Sequence, residues 1–111
     1  MLTHLMLGAN DPEASAKFFE AVLAPLGYVR AFEFHGRVGF SDGEGQPPLI
    51  VGTPGDGCEA SFGNGAMLGF RAKDPETVQA AWNAGLANGG KDEGAPGPRP
   101  QGPPGTYAAY L

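Results

Sequence analysis

The sequence predicts an α+β fold made of two paired modules, and three observations predict it. The words "MLTHLMLGANDPEASAKFF" and "AMLGFRAKDPETVQAAW" each run an apolar stretch into Asp-Pro-Glu and then into helical spacing. A shift of 63 residues superposes them, with nine identities in the 23 positions from Leu5 to Gly27 and no gap. Around the helical words lie short apolar runs bounded by Gly and Pro, the usual punctuation of strands. At 111 residues the chain has room for one domain. Module 1 spans about residues 1–54, a linker about 55–63 and module 2 about 64–111. Two copies are too few for a solenoid and read as halves of one body.

Each half has a legible start. Leu2 to Gly8 is apolar apart from Thr3 and His4 and fits a buried strand. Asp11 can cap the helix that follows, and Pro12 suits its first position, where no N–H is needed. Phe18, Phe19, Val22 and Leu26 supply an apolar face, and Gly27 is placed for a left-handed stop. Asp74, Pro75, Val78, Ala81, Trp82 and Gly90 repeat that logic, with Gly85 weakening the second helix. "YVRAFEF" and "RVGFS" flank His35-Gly36 as a hairpin, and "PPLIVG" is a third strand, so module 1 reads β-α-β-β-β. "GAPGPRPQGPPG" holds nine Gly or Pro in twelve and reads as a loop of polyproline character. "TYAAYL" reads as a closing strand. It stops with no turn or charged tail, which leads us to expect a further turn and strand of about ten residues beyond Leu111.

Composition narrows the function. Seven Lys and Arg against twelve Asp and Glu give a net charge of −5, with no basic run, which argues against nucleic acid and anionic membranes as partners. No apolar run is long enough to span a bilayer, and the start lacks the pattern of a signal peptide. A single cysteine, Cys58, cannot form an internal disulfide, and the expected location is cytoplasmic. Its neighbours Asp56 and Glu59 supply no positive field for a thiolate nucleophile. "GDGCEA" spells a dinucleotide-like glycine pattern, but "SFGNG" follows where a helix would have to begin. No Ser-His-Asp order, phosphate loop or paired-cysteine motif is present.

The segments "LTHLMLGANDPEASAKFFEAVLAPLGY", "LGFRAKDPETVQAAWNAGLANGG" and "YAAYL" resemble the vicinal oxygen chelate superfamily, which includes glyoxalase I, extradiol dioxygenases and bleomycin-resistance proteins. The first segment looks particularly like small bacterial glyoxalase-like proteins. The resemblance implies a curved mixed sheet from tandem β-α-β-β-β modules, here without the last strand, and a cup that takes a small molecule. It implies that His4 stands at the first metal-ligand position. The repeat then gives Met67 as its counterpart, where metal-holding members usually carry a His. The strand from Leu49 to Val51 offers no donor, and a final Glu would have to follow Leu111. No cofactor is therefore expected, and a divalent metal held with the help of His4 is the alternative.

Strand alternation puts His4 and Met6 on one face and Leu5 and Leu7 on the other. By the same parity Met67, Gly69 and Arg71 share a face. His4, Met6, Met67 and Arg71 are thus the candidate ligand-binding residues, with Arg71 suited to a carboxylate and Met67 to an adaptable wall. The expected function is binding of a small organic molecule without a complete metal site. The alternatives are a metal-dependent lyase, isomerase or dioxygenase, and a noncatalytic interaction module using the Gly/Pro loop. A homodimer is expected, because so short a sheet leaves apolar edges uncovered.

Overall fold

A computed structural model describes residues 1–111. In chain order it contains β1 (Leu5–Gly8), α1 (Pro12–Leu23), a single 3-10 turn (Ala24–Leu26), β2 (Val29–Phe34), β3 (Arg37–Ser41), β4 (Leu49–Gly52), α2 (Pro75–Ala87), β5 (Gly94–Pro98) and β6 (Tyr107–Tyr110). This is the expected α+β architecture with a curved mixed sheet. Four strands lie in the order β1-β4-β3-β2, with β1 parallel to β4 and the other pairs antiparallel. β5 and β6 form a separate antiparallel pair.

The two helices start as their shared words require. The Asp11 carboxylate accepts from the Ala14 N–H at 3.1 Å, and that of Asp74 accepts from the Thr77 N–H at 2.8 Å. The ends differ. Pro25 has no N–H to continue α1, so the chain tightens into the 3-10 turn and leaves through Gly27 at φ 86°. In the second copy the left-handed residue is Gly89 at φ 92°, not the expected Gly90. Gly90 serves a different need: a Cβ there would lie 2.6 Å from the Gly85 carbonyl oxygen and 2.6 Å from the Phe18 ring.

Two expected boundaries are corrected. The first strand begins at Leu5 rather than Leu2. Leu5 N–H bonds the Pro48 carbonyl, and upstream of that rung Pro47 and Pro48 have no N–H to offer a longer ladder. The supposed Gly/Pro loop contains a strand, since Gly94–Pro98 pairs with β6 through Gly94–Tyr110, Gly97–Ala108 and Pro98–Tyr107. An irregularity between Gly94 and Gly97 accommodates Pro96, and only the turn beyond Arg99 is loop.

One bulge decides which face each β2 side chain takes. Arg30 pairs with Phe40, but Phe32 pairs with Gly39, so the register slips by one residue around Ala31. Simple alternation would put Arg30 and Phe32 on the same face. The slip sends Arg30 toward α1, where it meets Glu13 and Glu20 at 3.6 Å each, and sends Phe32 to the opposite face over Gly39. Against α1 the sheet presents Val38, Phe40, Leu49 and Val51, which close a core with Ala9, Ala16 and Leu23. Phe40 is fully buried, and its ring lies 6.5 Å from Phe19.

The segment that opens the second copy, 66–71, forms no strand. Its alternation survives nonetheless. Leu68 and Phe70 pack against the core, with Phe70 edge-on to Tyr28 at 6.1 Å, while Met67, Gly69 and Arg71 are exposed. No backbone hydrogen bond involves Met67 to Arg71. The stretch has the side-chain pattern of a strand without a ladder.

Candidate small-molecule site

The sheet face turned away from α1 is built by register. Across the strands run Met6, Ile50, Gly39 and Phe32 in one row, and Gly8, Gly52, Arg37 and Phe34 in the next. Val38, Phe40, Leu49 and Val51 occupy the other face, so these residues face away from the core. Three of the eight are glycines, and two of them are covered by side chains from the adjacent strand. A Cβ on Gly39 would lie 2.1 Å from the Phe32 ring, and one on Gly52 would lie 2.6 Å from Cγ of Arg37. Glycine therefore lets Phe32 and Arg37 lie flat on the sheet. The rings of Phe32 and Phe34 stack at 5.9 Å and 28°, and both stay partly exposed, as does Met6.

The far edge of this face is closed by the chain after β4. The side chain of Asn10 accepts from the Ala60 N–H at 2.6 Å and donates to the Ala60 carbonyl at 3.3 Å. That pair of bonds holds residue 60 against the end of β1, where Ala60 and Pro54 lie over Gly8.

Electrostatics differ between the two arginines of the β2–β3 hairpin. Arg30 is surrounded by acids: it hydrogen-bonds Glu33 and meets Glu13 and Glu20, and Glu33 above all holds its guanidinium more firmly protonated than usual. Arg37 is in no ion pair, and its Nε is buried without a hydrogen-bond partner. Beside the hairpin tip, Arg37 and Phe34 also line an open depression of about 610 Å³ together with Asp11, Glu13, Glu33 and His35.

Of the four site residues expected from the sequence, Met6 lies on the open face of β1. His4 is exposed one residue ahead of that strand, with its Nδ1 3.0 Å from the Thr3 hydroxyl. Met67 and Arg71 are exposed in the segment that joins neither sheet, Met67 being 79% exposed. A divalent metal does not fit the donors within one chain: no three His, Cys, Asp or Glu side chains converge closely enough to hold an ion. Sequence reasoning missed Arg37, Phe32 and Phe34. Arg37 could have been found from "RVGFS", since it alternates with Val38 and Phe40, but the bulge that turns out Phe32 has no local signature.

No protein-family model matches the chain, and no curated protein matches it. A search of solved structures gives a glyoxalase/bleomycin resistance protein from Albidiferax ferrireducens T118, 39% identical, covering 89% of this chain and 82% of that one, at a TM-score of 0.82. The chain belongs to the glyoxalase/bleomycin resistance family. Its first repeat supplies the β-α-β-β-β unit that the family resemblance implied. No helix is long and apolar enough to cross a membrane.

Proposed function

We propose that this glyoxalase/bleomycin resistance-like protein binds a small organic molecule on the open face of the four-stranded sheet, without a complete metal site. The observation that carries the reading is the glycine-floored face on which Phe32, Phe34, Met6 and Arg37 lie in two adjacent rows. Apolar walls with a few placed polar groups are the usual make-up of small-molecule sites. The free, exposed Cys58 accords with a cytoplasmic setting. An NMR screen of a fragment library tests the reading. Hits should perturb Met6, Ile50, Phe32 and Phe34 together, and hits confined to other surfaces would contradict it.

A second copy of the chain completes the cup. The support is an unmatched pair: β1 is an edge strand bonded only to β4, and residues 67–71 carry a strand's alternation with no ladder. Backbone polar groups next to a core are almost always paired, and open edges invite a second strand. The repeat relates these two segments, so pairing between copies would be reciprocal and closed, as a twofold dimer requires. Met67 and Arg71 would then enter the cup from the partner. Light scattering should give a dimer at micromolar concentration, and a monomer would contradict this assembly.

A further inference from the structure

We propose that Arg37 makes this face selective for flat organic carboxylates, the ring resting on Phe32 and Phe34 and the carboxylate taken by the Arg37 guanidinium. The inference rests on the reading of the open sheet face as the binding site, and it adds the chemical class of the ligand.

Three observations carry it. First, Arg37 is the only charged side chain that the four strands direct to this face. Arg30 and Glu33 pair with Phe40 and Val38 and so lie on the α1 side. Second, it is in no ion pair, although Asp11, Glu13 and Glu33 line the same depression. Arg30, a few residues away, meets three glutamates, whereas Arg37 meets no carboxylate and keeps a buried Nε without a partner. Its terminal N–H groups, which no carboxylate pairs with, are the donors a ligand acceptor would take. Third, the geometry is prepared. The Arg37 stem lies on Gly52, which lacks the Cβ that would displace it, and its guanidinium reaches toward Gly55. Phe34 is the cross-strand partner of Arg37, and Phe32 stacks beside it at 5.9 Å.

The charge count selects a carboxylate over a phosphate. One guanidinium matches one negative charge in a planar, two-point fashion. No lysine or second arginine stands on these strand faces, and the chain as a whole carries −5, so a dianion would be under-neutralised. The aromatic pair offers a broad flat surface, which favours a conjugated or aromatic body over a compact polar one.

The test is an NMR titration of the intact protein with benzoate, its neutral counterpart benzamide, and inorganic phosphate. Benzoate should move the Arg37 Nε–H resonance together with the Phe32 and Phe34 ring signals. Benzamide should bind at least tenfold more weakly, and phosphate should not reach the ring signals. Arg37→Gln should remove the preference for benzoate, and Phe34→Ala should weaken both aromatic probes. The Nε–H shift in the unsubstituted protein decides the matter even if a variant folds poorly. Equal binding of benzoate and benzamide, with Nε–H unmoved, overturns the carboxylate proposal while leaving the site reading intact. Phosphate binding as tight as benzoate also overturns it. Failure of both aromatic probes to move any signal on this face overturns the proposal and the site reading together.

Discussion

The two copies of the repeat make nearly the same helix and very different sheets. Asp11-Pro12-Glu13 and Asp74-Pro75-Glu76 start helices of 12 and 13 residues. Yet the first copy closes a four-stranded sheet over Phe40, Leu49 and Val51, while after the second helix there is only the β5–β6 pair. Helix starts are local: an N-cap carboxylate and a proline act over one turn. A sheet needs partners far away in sequence and large side chains to bury. The second copy builds β5 from Gly, Ala and Pro, and its opening segment forms no strand and finds no ladder. All the largest fully buried side chains, Phe40, Leu23, Leu49 and Val51, belong to the first copy. Similar words in a sequence thus transmit helix geometry more faithfully than they transmit a core.

This contrast can be broken by mutation. Phe40→Ala removes a fully buried ring from the first sheet and should cost about 3–5 kcal/mol. Leu111→Ala, which strips the side chain resting on Gly85 of α2, should cost about 1 kcal/mol or less, because Leu111 remains 39% exposed. Urea unfolding measures both, and equal costs would erase the distinction. Glycines sharpen it further. Gly39→Val drives a side chain into the Phe32 ring and should cost about 1–3 kcal/mol, with loss of the Phe32–Phe34 stacking visible by NMR. Gly97→Ala on β5 meets only the flexible tip of Arg99 at 3.4 Å and should change stability by no more than about 1 kcal/mol.

The smallest effect concerns the cap. Thr77 donates both its hydroxyl, at 2.6 Å, and its N–H to Asp74, and these bonds hold the Asp74 carboxyl below the usual carboxylate range. A depressed native value means that the unfolded chain takes up the proton first as pH falls. The stabilisation is therefore complete above the ordinary carboxylate value of about 3.9 and is lost as pH drops through the lower native value. Thr77→Val should raise the Asp74 value toward the ordinary range in an NMR titration. An unchanged titration would show that the hydroxyl does not hold the cap.

Much of this fold was legible in advance. Asp-Pro-Glu marked both helix starts, and "RVGFS" coincides with β3. His35 and Gly36 take the positive φ values, 45° and 73°, of the tight hairpin that their sequence suggested. What stayed hidden was nonlocal. The strand in "GAPGP" depends on pairing with β6, against its own composition. The bulge at Ala31 depends on Arg30 finding glutamates on α1 and on Gly39 leaving room for Phe32. The make-up of the open sheet face was half legible for the same reason. Met6 followed from strand parity, but Arg37 is distinguished by the partner it lacks, which no reading of neighbours along the chain reveals.

In the proposed dimer the unladdered segment of one copy pairs with the open β1 edge of the other. Hydrogen exchange measured residue by residue over a range of protein concentrations tests it most directly. The amides of Met67 to Arg71, and those of β1 facing its open edge, should be protected at micromolar concentration and lose that protection together on dilution, while β3 and β4 stay protected throughout. Fast exchange of residues 67–71 at every concentration would contradict it.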